Sequence, residues 1–223
     1  MFELKGERLI DLSHTAKEDM PCDPALALPT LDFFSRVGNG DQIHNLEVIR
    51  YCPHTGTHMD SPFHVCNEWP TMEALDPSIL IGPACVLLLN VPEYDYAITE
   101  EDLIAWENSH GPIQAGDAVL LHTGHDKKWD GGSDSYINRG YIRLDTSAAR
   151  YLAGKKVRFV GMESISVDGA DTESHKILMG NQVYIVENLC NLDKIGKDRC
   201  STIGTFPAVE GASGAWVRLL ALV

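Results

Sequence analysis

The chain has no CxxC pair, no apolar stretch approaching the length of a membrane span, and few basic residues. Each shortage excludes a class of function. Without a CxxC pair, neither a zinc ribbon nor a thioredoxin-type redox site has a basis. Without a long apolar run, no spanning helix is expected. Lysine and arginine number 18 against 32 aspartates and glutamates, a formal net charge of −14. Nucleic acid and anionic membrane both call for basic patches, so neither is an expected partner. The short basic groups at 127–128 and 155–158 read as solvated loop and strand-start charges. A GxSxG elbow is missing too. Ser13 and Ser61 lie near histidines in sequence, but adjacency along the chain does not make a triad.

What is present bounds the architecture. The 223 residues, 44% hydrophobic, suit one domain over 1–223 with a sizeable core. Six cysteines are scattered through the chain, and the first residues, MFELKGERLIDLSH, are charged and strand-like. This reads as a cytoplasmic protein with reduced, structural thiols. Cys52 and Cys66 flank the histidine-rich segment and are read as small buried hydrophobes rather than metal ligands.

Hydrophobic periodicity alternates strands with helices, which predicts a mixed α/β fold. Residues 9–12 form a first short strand. Residues 45–51, NLEVIRY, alternate apolar and polar as a half-buried strand would. Continuous apolar runs at 84–91 and 117–122 suit fully buried strands. Thr99 caps one helix, with acids in its first turn, and Asp145 caps another that runs to Ala153 and stops at Gly154. Strands are expected at 157–162, 183–189 and 215–222, with a short helix from Thr172 to Met179. The Gly-rich segment 124–140, with Trp129 in it, reads as a loop.

Residues 54–64, HTGTHMDSPFH, carry the chemistry. His54, His58 and Asp60 offer two imidazoles and a carboxylate at short spacing, a ligand set for a divalent metal. Pro53, Gly56 and the β-branched Thr55 and Thr57 argue against a helix. A turn at Gly56 followed by extended chain puts His58 and Asp60 on one face, and Pro62 is expected to keep the segment extended. His64 would follow on that face as a further ligand or a proton shuttle. In the second half, His175 falls on the short helix, and Glu187 interrupts the apolar strand VYIVENL. A carboxylate there either points to solvent or needs a partner that offsets its desolvation. With both, three histidines and two carboxylates suffice for two metals sharing a bridging carboxylate.

The segment resembles the HxGTHxDxPxH motif of the cyclase family of metal-dependent hydrolases, which includes bacterial kynurenine formamidases, isatin hydrolases and some lactone hydrolases. Asp11-Leu12-Ser13-His14, Gly161-Met162 and the His175/Glu187 pair extend the likeness over nearly the whole chain. The resemblance implies a swivelling β/β/α domain and a homodimer or homotetramer. It implies that His54, His58 and Asp60 hold a first metal, that Asp60 and Glu187 bridge to a second held by His175, and that His64 is the general acid/base. One or two Zn²⁺ or Mn²⁺ ions per subunit would suit this nitrogen and oxygen set. The implied reaction is hydrolysis of an amide, as in an arylformamidase, or of a lactone or ester of a small molecule. The rival class is a metal-binding sensor or storage protein without catalysis, which would not need His64. Bacterial kynurenine formamidases carry a tryptophan soon after a Met-Pro pair, where this chain reads Met20-Pro21-Cys22-Asp23-Pro24. Asp23 at that place implies a polar or cationic substrate group. Phe33, Phe34 and Trp69 are the candidates to replace the missing aromatic.

Overall fold

A computed structural model describes residues 8–169 and 171–223. In chain order its strands are β1 (Leu9–Asp11), β2 (Thr30–Ser35), β3 (Leu46–Arg50), β4 (His58–Asp60), β5 (Gly82–Leu88), β6 (Ala97–Ile98), β7 (Ala118–His122), β8 (Arg143–Leu144), β9 (Phe159–Met162), β10 (Tyr184–Glu187), β11 (Arg199–Thr205), β12 (Gly214–Trp216) and β13 (Arg218–Leu222). The helices are α1 (Glu100–His110), α2 (Thr146–Lys155) and α3 (Glu173–Gly180).

Nine strands form one mixed sheet, in the order β1-β13-β11-β5-β7-β9-β10-β4-β12. The central β5, β7, β9 and β10 run parallel, because α1, α2 and α3 each return the chain to the same end of the sheet. Alternation along β5 sorts its side chains. Cys85 and Leu87 face Leu103, Trp106 and Leu152 of the helices, while Ala84 and Val86 face the other way. Only Val217 separates β12 from β13, yet the two stand toward opposite ends of the strand order. The sheet therefore curls until its two limbs meet. Inside the curl, Met59 and Ala215 from one limb share an apolar cluster with Ile10, Leu219 and Ala221 from the other.

Most expected elements are present, and the departures have local causes. The caps act as expected: Thr99 and Asp102 form a reciprocal capping box, and Asp145 accepts from the Ala148 N–H. α2 runs past Gly154 to Lys155 and stops at Lys156, in left-handed conformation at φ 58°. There the Lys156 carbonyl accepts from the Gly116 N–H, so tertiary pairing sets the stop. The expected last strand breaks at Val217, whose N–H donates to the Thr57 carbonyl as the chain crosses between limbs. Pro62 does not prolong the extended chain. It opens a tight 3-10 turn, Pro62–His64. Segment 124–140 winds into compact turns that bury Trp129 and Tyr136.

The largest departure is NLEVIRY. Instead of being half-buried, Leu46–Arg50 pairs with β2 alone, in a two-stranded ribbon, and every residue of β3 is exposed. Its alternation is real, but among the described residues nothing buries its apolar side chains. Among the described residues no helix is long and apolar enough to cross a membrane.

Candidate active site

β4 is three buried residues long and presents His58 and Asp60 on one side. Gly56 makes the turn into it at φ 65°, a conformation open to glycine. Met20 packs against this turn: a Cβ on Gly56 would lie 3.4 Å from Met20 Sδ. β10 runs antiparallel to β4 with Glu187 opposite His58, which carries the late carboxylate to the early motif. α3, just before β10, delivers His175 to the same place.

The donor atoms converge on a small space. Asp60 Oδ1 lies 2.7 Å from His54 Nδ1 and 3.3 Å from His58 Nε2, while its Oδ2 lies 3.4 Å from His175 Nε2. Glu187 Oε2 is 3.4 Å from His58 Nε2, and Oε1 is 3.6 Å from His175 Nε2. Both carboxylates thus span the gap between the histidines, one oxygen to each side. Glu187 is only 4% exposed, so it does not point to solvent. The His64 ring lies over this group, its centroid 3.9 Å from that of His54 and 5.5 Å from that of His175. The Pro62–His64 turn, not extended chain, brings it there.

Two observations fit this space to a cation. First, His58 Nε2 and Asp60 Oδ2 are buried without a hydrogen-bond partner although both face the gap. Second, the cluster draws in positive charge. Burial alone would lower the pKa of His58, but the negative charges of Asp60 and Glu187 beside it raise it to about 9. Burial is likewise overcome at His175, where Asp168, Asp60 and Glu187 hold its pKa well above the usual imidazole value. Burial would raise Asp60, yet the neighbouring His58, His175 and His54 hold it well below the carboxylate range. Burial and the nearby Asp60 charge push Glu187 up to about 8. His58 and His175 gather positive charge in this way, and with His54, Asp60 and Glu187 they make a donor set that fits a divalent cation.

Other residues support the donors and were not foreseen. Asp168, buried, lies with Oδ1 3.0 Å from His175 Nδ1, and its Oδ2 accepts from the His175 backbone N–H. Ser213 Oγ is 2.8 Å from His54 Nε2. Nothing in the local sequence marks either residue, because neither belongs to the motif and both reach the site through folding. Asp23 is not among the converging groups. It is exposed, and its Oδ1 accepts from the Ala25 N–H within its own turn. That loop nevertheless borders the site through Met20, and Cys22 exchanges hydrogen bonds with Ser133. Phe33 and Phe34 stand exposed on the ribbon, and Trp69 packs against Gly180 at the end of α3. Among the described residues the groups that could hold a metal contain no cysteine, so Cys52 and Cys66 stay apart from it.

The family described as "Putative cyclase" matches residues 10–169. An isatin hydrolase from Roseibium aggregatum is 28% identical over 193 residues, 76% of this chain and 72% of that protein. A kynurenine formamidase from Bacillus cereus is 30% identical over 168 residues, 74% of either chain. Among solved structures, isatin hydrolase A from Ralstonia solanacearum aligns with a TM-score of 0.85 at 25% identity, covering 97% of this chain and 92% of that one. A structure described as a potential metal-dependent hydrolase with cyclase activity aligns at 0.77 and 26% identity, covering 96% of each. Fold and site together define an enzyme of the metal-dependent hydrolase class. Within that class, the chain belongs to the cyclase family. Its curled mixed sheet with helices is the α/β fold that the motif implied.

Proposed function

We propose that this enzyme hydrolyses a C–N bond of a small aryl amide, either an aryl formamide or a ring amide, with the whole of 1–223 acting as one catalytic domain. The observation that carries the reading is the pair of carboxylates, Asp60 and Glu187, each spanning His58 and His175 with one oxygen apiece. That arrangement suits one or two ions of Zn²⁺ or Mn²⁺ held by His54, His58, Asp60, His175 and Glu187. When bound, such a cation polarises a carbonyl and makes water acidic enough to attack at neutral pH.

The chain's own groups do the rest. His58 Nδ1–H donates to the Gly56 carbonyl at 2.9 Å, which turns Nε2 to the gap as the atom that would bind a cation in place of a proton. His54 Nδ1 lies 2.7 Å from Asp60 Oδ1 and its Nε2 lies 2.8 Å from Ser213 Oγ, so with Nε2–H donating to Ser213 the Nδ1 atom would be free to bind a cation. Asp168 holds the far side of the His175 ring. His64 is kept neutral, its pKa lowered to about 4 by burial and by the neighbouring His54, His175 and His58 against the pull of Asp60. A neutral imidazole on the open side of the site takes a proton from the attacking water and returns it to the leaving nitrogen.

Two further features belong to the same reading. The enzyme is a homo-oligomer, dimer or tetramer, and the exposed ribbon is the surface that supports this. A reducing cytoplasmic compartment suits six free thiols.

The test is metal content and turnover in parallel, on a panel of aryl formamides, isatin and lactones. His58→Ala should lose bound metal and hydrolysis together. Full metal occupancy with full activity in that variant would sink the assignment.

A further inference from the structure

Four buried polar groups in series lead away from the site and belong to no expected ligand set. His58 Nδ1–H donates to the Gly56 carbonyl, and Asn188 Nδ2 donates to the same oxygen, each at 2.9 Å. The Tyr136 hydroxyl lies 2.9 Å from Asn188 Oδ1 and 2.6 Å from the Glu163 carbonyl, and its single proton serves both acceptors. Asn188 is also anchored by its backbone. Its N–H donates to Ser164, and its carbonyl accepts from Thr57 Oγ1 at 2.6 Å. It is buried and sits at φ 57°, a left-handed conformation in which asparagine is among the few residues tolerated.

We propose that Asn188, backed by Tyr136, is a positioning residue for His58, fixing its ring through the Gly56 carbonyl. The inference rests on His58 being a metal ligand. Pairing of β4 with β10 already fixes the backbone of His58 against Glu187. It does not fix the preceding peptide of Gly56, where glycine gives the softest backbone in the motif. That peptide carries the oxygen which holds His58 Nδ1, and a turn of its plane would let the ring rotate. The Asn188 side chain closes this gap. Since Asn188 directly follows Glu187, one residue couples the orientation of the two candidate ligands.

The test uses Asn188→Gly, which keeps the left-handed backbone and removes only the side chain, and Tyr136→Phe, which removes one hydroxyl. Affinity for Zn²⁺ is read by chelator competition and should weaken by about 10–100-fold in Asn188→Gly. Exchange of the His58 Nδ1–H with solvent is read by NMR in the metal-free protein and should quicken at least about tenfold. Tyr136→Phe should move both in the same direction by less, and it carries the test if Asn188→Gly does not fold. A merely structural role would lower thermal stability and leave that exchange alone. Unchanged exchange in the folded variants overturns the proposal, whatever happens to affinity. If the wild-type protein binds no Zn²⁺ or Mn²⁺, the metal reading falls instead, and the exchange measurement still decides whether Asn188 positions the ring.

Discussion

His64 and Asp23 are the two residues whose substitutions best separate chemistry from binding. His64 sits over the donors, its ring centroid 3.9 Å from that of His54, and burial together with the neighbouring histidines lowers its pKa to about 4. His64→Asn should keep the bound metal and lose turnover by at least about 10²-fold, because only proton transfer is removed. Elemental analysis beside single-turnover rates checks this. Metal lost in proportion to rate would make His64 a ligand instead. Asp23 concerns specificity. Its loop begins at Met20, which packs against the motif turn, and ends in a turn that Asp23 caps. Asp23→Trp should raise kcat/KM for aryl formamides relative to aliphatic ones, since a flat apolar surface would replace a charge. A ratio that does not move would mean that the loop does not face the substrate. His54, His58 and Asp60 were legible as one cluster because their spacing acts within eleven residues, and their donor atoms do come together. Asp168 and Ser213 were not, because their partners are distant in sequence.

At the scale of elements, the β2–β3 ribbon stands apart. Leu31, Phe33, Phe34, Leu46, Val48 and Ile49 are all exposed on it, a concentration of apolar surface that monomers rarely leave open. A diagonal ion pair, Arg50 to Asp32, also joins its strands. In a chain of net charge −14, a nearly neutral apolar ribbon is where a second copy can approach with least repulsion. Phe34→Glu combined with Val48→Glu should shift the protein from oligomer to monomer in sedimentation velocity while leaving the far-UV circular dichroism spectrum unchanged. An oligomer of wild-type size in the double variant would mean that subunits meet elsewhere. The alternation in NLEVIRY correctly indicated a strand, with Leu46 and Val48 on one side. What meets that side is not encoded in the alternation, so the reading of half-burial failed.

The whole molecule has a built-in acid sensitivity outside the site. His125 is fully buried, with Nε2–H donating to the Tyr136 carbonyl at 2.8 Å and Nδ1 3.4 Å from Lys128 Nζ. Burial, aided by the Lys128 charge and opposed by the Tyr136 carbonyl and Asp126, lowers its pKa to about 4. In the unfolded chain the same ring takes up a proton near pH 6.5. The neutral, folded form therefore contributes stability above that pH. The contribution drains away as pH falls from about 6.5 to about 4, a loss on the order of 3 kcal/mol for this one group. Urea midpoints at a series of pH values should fall through this window, and His125→Gln should flatten the slope by up to one proton. An unaltered slope in the variant would show that His125 does not govern the loss.

Short-range information was enough for the histidine motif, the capped starts of α1 and α2, and the buried parallel strands, because each depends on spacing, capping or an apolar run within a dozen residues. It was enough, too, to pick out His175 and Glu187 as a pair, though not to bring them to Asp60. That step needs β10 to lie antiparallel beside β4 with Glu187 opposite His58, a pairing between segments far apart in the chain. The same holds for the break at Val217, the stop of α2 at Lys156 and the Asn188–Gly56 link. Each is decided by which backbone groups find partners once the sheet has curled its two limbs together, and hydrogen bonds between distant segments leave no mark in local composition or period.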